Sequence, residues 1–159
     1  MLDGLPFALI LATALGCGLN AGVFFAFSSF VMKALARLPP AQGIAAMQSI
    51  NVRAVTPWFM TAFFGTAALC VLLVIAAVLR WSEPGAVWLL VGSLLYLVGS
   101  IGVTMAFNVP RNNALAAVAP ESVEGAGLWA CYVTDWTAWN HVRTGACLAA
   151  AAALTMALR

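Results

Sequence analysis

The sequence predicts an all-α membrane protein in which four transmembrane helices form a bundle, with two longer helical loops on one side of the membrane. Charged residues make up 8% of the 159 residues and hydrophobic residues 64%, whereas about a quarter of a soluble domain is charged. Three uncharged intervals also exceed the roughly 20 residues that a helix needs to cross a bilayer. So few charges cannot cover a water-exposed surface, and we therefore expect lipid around most of the chain.

The charged residues mark where the first three spans end. The uncharged intervals run over residues 4–32, 54–79 and 84–110. The turn between the second and third spans, RWSEPG, is short and predicts a tight antiparallel hairpin. We place the spans of a single domain, residues 1–159, at about 6–32, 56–79, 86–107 and 138–158.

The fourth span is the shortest, and its length makes it informative. Only fifteen residues, 144–158, separate Arg143 from Arg159, and as a helix they cover roughly 22 Å, less than the hydrocarbon core. The helix must therefore extend back to about Trp139. This extension places Asn140, His141 and Arg143 at the edge of the membrane interior, where polar side chains commonly have a function.

The basic residues predict the orientation in the cell membrane. The side with the two long loops contains Lys33, Arg37, Arg53 and Arg111, with Arg143 at the boundary, and the other side contains Arg80 and Arg159. The positive-inside rule then places the long loops in the cytoplasm and both termini outside.

Composition also argues against several classes of function. A net charge of +2 is too small and too dispersed for a nucleic-acid partner. The four cysteines show no CxxC spacing and only one histidine is present, so we predict no metal site and interpret the cysteines as helix-packing residues. The expected partners are the lipid bilayer and a small aromatic or hydrophobic molecule.

The segment WTAWNHVRT, residues 136–144, has the most unusual composition. On a helix, one stripe about 100° wide combines aromatic rings with an amide and a guanidinium. Such a stripe suits a flat aromatic ligand with a carbonyl or phenolate oxygen, and an aromatic belt at the membrane interface is the alternative. The stripe consists of Trp129, Tyr132, Trp136, Trp139, Asn140 and Arg143.

His141 is the only histidine, and its imidazole is the natural general base near neutral pH. The helical wheel separates it from Arg143 by roughly 120–160°. Both residues can line one pocket only if the pocket extends around the helix. A structural histidine bonded to a neighbouring helix is the alternative.

Other polar residues are candidates for a supporting role. Asn20 lies near the middle of the first span, where a lone amide needs a partner, so it either bonds a neighbouring helix or lines a pocket. Asn108, Arg111 and Asn112 in NVPRNN follow the third span on the side where the fourth helix begins. They are candidate substrate-binding residues, and a capping or turn role is the alternative.

Four segments together resemble the anthrone oxygenase family of small membrane proteins. They are AGVFFAFSSFVMKAL at 21–35, AMQSIN with Pro57 beyond it at 46–57, NVPRNNAL at 108–115 and WTAWNHVRT at 136–144. The resemblance extends over nearly the whole chain, and many members of the family have no established role. It implies a four-helix membrane protein similar to enzymes that oxidise an anthrone to an anthraquinone with molecular oxygen and no recognised cofactor.

That chemistry needs a base to remove a proton from the substrate and donors to hold the resulting oxyanion. Matching the motif positions implies His141 as base, Arg143 and Asn140 as oxyanion donors, and Trp136 as the stacking surface. The alternative function is a non-enzymatic carrier, binding protein or accessory subunit for a small hydrophobic molecule. A carrier of this size would have to be a homo-oligomer, and the third-span glycines that are candidates for its interface are Gly92, Gly99 and Gly102.

Overall fold

The computed structural model describes residues 7–159, which form five helices without a strand. Pro6, where the first span is predicted to begin, lies outside the described residues. The helices are α1 (Phe7–Leu35), α2 (Pro40–Arg53), α3 (Pro57–Leu79), α4 (Ala86–Ala116) and α5 (Val123–Met156).

Local signals in the sequence set the helix boundaries. Thr56 caps α3, because its hydroxyl accepts a hydrogen bond from the Phe59 amide at 3.2 Å, and Pro57 occupies the first helical position. Ser122 caps α5 in the same way through the Gly125 amide at 2.9 Å. In the α3–α4 turn, Gly85 adopts a φ of 91°, a conformation that favours glycine.

Three helices, α1, α3 and α4, are long and apolar enough to cross a membrane. The prediction of an all-helical membrane protein is therefore confirmed, and the predicted four spans are confirmed for three. The remaining helix, α5, is 34 residues long and continuous from the long connection predicted for residues 108–138 into the bundle. Its lower hydropathy has a simple cause, since Asn140, His141 and Arg143 interrupt its apolar sequence.

Helix α5 lies at the centre of the bundle and packs against both α1 and α4, while α3 packs against α1 and the first part of α4. At the end of the bundle that carries the α3–α4 turn, the core is apolar and contains Cys17, Cys70 and Cys147. A second core lies at the opposite end, where α2 packs on α5 and α4. Gln48 of α2 holds this end together by donating to the carbonyls of Leu115 at 2.8 Å and Val118 at 3.0 Å.

Two of the three third-span glycines lie at a contact between helices of the same chain. A Cβ at Gly92 would approach Leu154 Cγ at 2.8 Å, and a Cβ at Gly99 would overlap the Cβ of Ala146. These two glycines therefore let α4 pack closely on α5, which is the within-chain role that competes with an oligomer interface.

Two long helices contain π-helical segments. They occur at Phe27–Val31 in α1, and at Leu97–Gly102 and Thr104–Asn108 in α4. A π-helical turn inserts an extra residue and changes the direction of the side chains around it, and such turns are frequent at functional sites. In this protein they lie on the two helices on either side of Arg143.

Candidate functional site

A cavity of about 480 Å³ lies between the two cores, a volume within the usual range of about 300–1,000 Å³ for small-molecule sites. All five helices contribute to its wall, which is mainly apolar and aromatic. The polar lining residues are Asn51, Thr56, Thr104, Asn112 and Arg143. The apolar lining residues include Phe24, Phe27, Met47, Phe59, Phe63, Phe64, Met105 and Trp136.

Arg143 is the charged residue in this wall, and it is only 5% exposed. Its Nη1 donates to the Thr104 hydroxyl at 3.2 Å and its Nη2 donates to the Asn140 side-chain oxygen at 2.6 Å. The guanidinium carbon lies 4.3 Å from the ring centre of Phe24 and 5.1 Å from that of Trp136. Aromatic faces and neutral oxygens therefore surround this cation.

The positive charge of Arg143 has no carboxylate partner within residues 7–159, and its Nε atom has no hydrogen-bond partner there. Burying a charge without an opposite charge costs several kcal/mol. A folded protein retains such a group when a ligand or a developing negative charge uses it. Arg143 thus makes the cavity suitable for an oxyanion or an anionic ligand.

Asn140 holds the guanidinium in place from behind. It is fully buried, and its Nδ2 donates to the Phe24 carbonyl and to the Ser28 hydroxyl, both at 2.7 Å. Ser28 lies 3.2 Å from the Thr144 hydroxyl, which in turn donates to the Asn140 carbonyl at 2.9 Å. This network leaves the Asn140 oxygen directed at Arg143, so its role in the structure is to orient the arginine.

Asn112 and Trp136 form the second polar part of the wall. The Asn112 Oδ1 accepts hydrogen bonds from the Tyr132 hydroxyl and from Trp136 Nε1, both at 2.8 Å. The indole of Trp136 is fixed by its bond to Asn112 and presents its face to the cavity.

Two predicted site residues, His141 and Trp139, do not line the cavity. His141 is exposed on the outer face of α5, and the cavity does not extend around the helix to reach it. Its predicted role as base therefore has no support from the geometry. Trp139 stacks on Phe107 with ring centres 3.5 Å apart and does not line the cavity. Of the predicted aromatic stripe, only Trp136 and Arg143 reach the cavity wall.

Three further predicted site residues lie outside the cavity wall. Asn20 donates to the carbonyls of Gly16 at 2.9 Å and Ala62 at 3.2 Å, which is the alternative helix-linking role. Asn108 donates to the Trp136 carbonyl at 3.2 Å and so supports α5 from α4. Arg111 is partly exposed and forms an ion pair with Asp135 at 3.5 Å.

Several lining residues were not among the site residues predicted from the sequence. Thr104 reaches Arg143 from a π-helical turn, which no simple periodicity predicts. Met47 and Asn51 come from α2, which the sequence predicts as a short helix within a long loop and which contains the AMQSIN segment, but neither was a predicted site residue. The one available hint was the density of phenylalanines in α1 and at the start of α3, which also suits ordinary packing.

Comparison with known proteins agrees with the resemblance seen in the motifs. The family model described as anthrone oxygenase matches residues 59–153, more than half of the chain. The matched region includes the start of α3, the π-helical part of α4 and the segment of α5 with Asn140 and Arg143. No curated protein and no solved structure gives a significant match. The chain belongs to the anthrone oxygenase family.

Proposed function

We propose that this protein oxidises an anthrone-like aromatic substrate with molecular oxygen, without a cofactor, inside the cavity beside Arg143. The observation that carries the proposal is a buried guanidinium with no carboxylate partner in residues 7–159, at the wall of an aromatic cavity. Membership of the anthrone oxygenase family supports the same reaction class.

The cavity suits a planar substrate with one oxygen substituent. The rings of Phe24, Phe63 and Trp136 offer faces on which a flat ring system can stack. The substrate oxygen then lies against the guanidinium of Arg143, which lines the cavity. Asn140 does not touch the substrate in this arrangement and serves as a positioning residue.

The proposed reaction converts an anthrone methylene and one O₂ into a carbonyl and one H₂O. Loss of one methylene proton gives a carbanion whose charge lies largely on the phenolate-type oxygen. Arg143 stabilises this oxyanion, which is the largest contribution that the protein makes. The carbanion then adds to O₂ to form a carbon–oxygen bond, and the peroxide anion takes up a proton to give a hydroperoxide. Loss of the second methylene proton forms the carbonyl as the oxygen–oxygen bond breaks, and the hydroxide that leaves takes up a proton to give water.

Water at the end of the cavity beside the α2–α3 connection accepts the first proton in this proposal. Arg143 makes that transfer easier because it stabilises the anion rather than the neutral anthrone. The described lining residues include no aspartate, glutamate or histidine. His141 as base remains the sequence-based alternative, and it requires a route for the proton around α5.

We further propose that α5 is the fourth membrane span, with the long loops in the cytoplasm. The supports are its central position between α1 and α4 and its apolar second half, which ends with the run LAAAAALTMAL at 148–158. Asn140 and Arg143 form hydrogen bonds inside the bundle, which lowers the free-energy cost of placing them at membrane depth.

Oxygen consumption with a hydroxyanthrone tests the proposed function. Purified protein in detergent should take up one O₂ per anthraquinone formed, above the rate without protein. Arg143→Gln should lower this rate by about 10²–10³-fold, the usual effect of removing an oxyanion donor. Arg111→Gln is the matched control, because Arg111 is ion-paired outside the cavity, and it should keep the wild-type rate.

The non-enzymatic alternative gives a different result in the same experiment. A carrier or binding protein would bind the hydroxyanthrone and its quinone without accelerating oxygen uptake. Normal binding with no acceleration would therefore reject the oxidation reaction and favour the binding role.

A further inference from the structure

The cavity has two openings. One lies at the α2–α3 connection, where the lining residue Val55 is 69% exposed, and the other lies between two membrane-crossing helices. Among its lining residues, Phe64 of α3 is 51% exposed and Met105 of α4 is 57% exposed. By contrast, Phe24, Phe63 and Arg143 at the inner wall are each at most 5% exposed. The wall is therefore closed around Arg143 and open between α3 and α4.

The packing of the helices explains the gap. α3 contacts α4 from the turn as far as the segment Leu97–Gly102, and the contact thins out over Thr104–Asn108. Tyr96 marks the closed part, since its hydroxyl donates to the Phe63 carbonyl at 2.9 Å. Beyond this hydrogen bond the two helices diverge, and the cavity occupies the space between them.

The gap lies in the part of the molecule that faces lipid. Phe64 is seven residues from the start of α3 at Pro57, which places it roughly 10 Å along the helix axis. Trp58, at the start of the same helix, is 89% exposed and suits the membrane interface. The opening thus extends from the interfacial level into the hydrocarbon region.

We propose that the substrate enters and leaves the cavity sideways from the bilayer, between Phe64 and Met105, with its polar end directed at Arg143. This inference rests on the proposed function and adds the class of substrate: an aromatic compound that dissolves in lipid and carries one ionisable or hydrogen-bonding oxygen. A planar aromatic ring system concentrates in the membrane, so a lateral opening collects it where it is most abundant.

Met105 is the residue that controls passage through the gap. It lies within the π-helical segment Thr104–Asn108, next to Thr104, which contacts Arg143. A methionine side chain is unbranched and flexible, and adapts to ligands of different shape. A larger rigid side chain at this position should narrow the gap, and a smaller one should widen it.

Binding kinetics of 1,8-dihydroxyanthraquinone, a product-like probe that needs no turnover, test the route. The protein is reconstituted in phosphatidylcholine vesicles, and the emission of the probe is followed by stopped flow. Met105→Trp should slow association and dissociation together by about tenfold, equivalent to a barrier higher by about 1.4 kcal/mol, with little change in Kd. Met105→Ala should accelerate both rates.

Two control variants distinguish the lateral route from a general effect of added bulk and from an aqueous route. Val98→Trp adds the same bulk on α4 at a position that is 66% exposed and does not line the cavity, so it should leave both rates unchanged. Ala54→Trp adds bulk at the aqueous end of the cavity and should also have no effect. Slowing by Ala54→Trp alone would show an aqueous route and overturn the proposal.

The outcomes separate this inference from the proposed function. Equal rates for Met105→Trp and Val98→Trp, with normal binding and oxygen uptake in both, overturn the lateral route and leave the oxidation intact. A wild-type protein that binds no dihydroxyanthraquinone overturns both the route and the proposed function.

Discussion

The two halves of the helix bundle are built from the same helices but are packed in opposite ways. In the half near the α3–α4 turn, small residues bring the helices together, as where Gly16 would overlap Thr66 and Gly99 would overlap Ala146 if either carried a Cβ. In the other half, the π-helical segments Phe27–Val31 and Thr104–Asn108 and the side chains of α2 contribute to the wall of a cavity of about 480 Å³.

The comparison shows where this protein accepts a cost in stability. The closed half has an apolar core with Cys17, Cys70 and Cys147 fully buried, which is the arrangement expected of a membrane bundle. The open half contains an empty volume and a buried cation without a carboxylate in residues 7–159. Both features lower stability, so their presence together indicates a function in this half.

The sharpest test of this difference is Arg143→Met, which should lower activity without lowering stability. Methionine keeps much of the side-chain volume and removes an unpaired buried charge, so the temperature of unfolding should stay level or rise. Oxygen uptake with a hydroxyanthrone should fall by about 10²–10³-fold, because the oxyanion loses its donor. Thermal unfolding in detergent and the oxygen electrode measure the two effects.

A large fall in the unfolding temperature of Arg143→Met would contradict this view of the open half. It would show that Arg143 is mainly a structural residue whose bonds to Thr104 and Asn140 hold α4 and α5 together. Asn140→Ala is the companion variant, since it should lower activity through the loss of arginine positioning while leaving the charge in place.

The closed half should respond to a single methyl group. Gly99→Ala should destabilise the protein by about 1–3 kcal/mol, the usual cost of overpacking, because the new Cβ would overlap the Cβ of Ala146. Gly18→Ala is the matched control, since a Cβ there meets no atom within 4 Å. Thermal unfolding of the two variants measures the difference, and equal temperatures would contradict the close packing of α4 on α5.

Much of the fold could be predicted from the sequence because charge and hydropathy control helix position in a membrane. The uncharged intervals correctly indicated α1, α3 and α4. The prediction was weaker for α5, because its polar residues lower its hydropathy even though it is the central helix of the bundle.

The site was predictable only in part. The stripe on α5 pointed to Arg143 and Trp136, and the NVPRNN motif pointed to Asn112. All three residues line the cavity. Helical periodicity cannot show which neighbour a face meets. It therefore gave no indication of Thr104, and it indicated an apolar side of α2 without showing that Met47 on that side lines the cavity. The π-helical turns also break that periodicity at the point where Thr104 faces Arg143.

A smaller effect is expected at Asn112, on the open side of the comparison. Asn112→Ala removes the acceptor shared by Tyr132 and Trp136, and unpaired buried donors cost about 1–3 kcal/mol each. Water in the cavity should reduce this cost to the lower end of the range. Thermal unfolding measures it, and Asn112→Asp should restore stability because it keeps the oxygen acceptor. Wild-type stability of Asn112→Ala would show that these two hydrogen bonds do not hold the wall.

The smallest effect is expected at His141, although the sequence makes it the obvious base. His141 is exposed on the outer face of α5 and no lining residue of the cavity connects it to the substrate. His141→Gln should therefore change kcat for oxygen uptake by no more than about twofold, whereas removal of a true general base typically costs about 10²–10⁴-fold. Oxygen uptake at saturating hydroxyanthrone makes the comparison, with Arg143→Gln as the inactive reference. If His141→Gln is as inactive as that reference and remains folded, proton removal occurs on the outer face of α5, and the cavity between α3 and α4 is not where the reaction takes place.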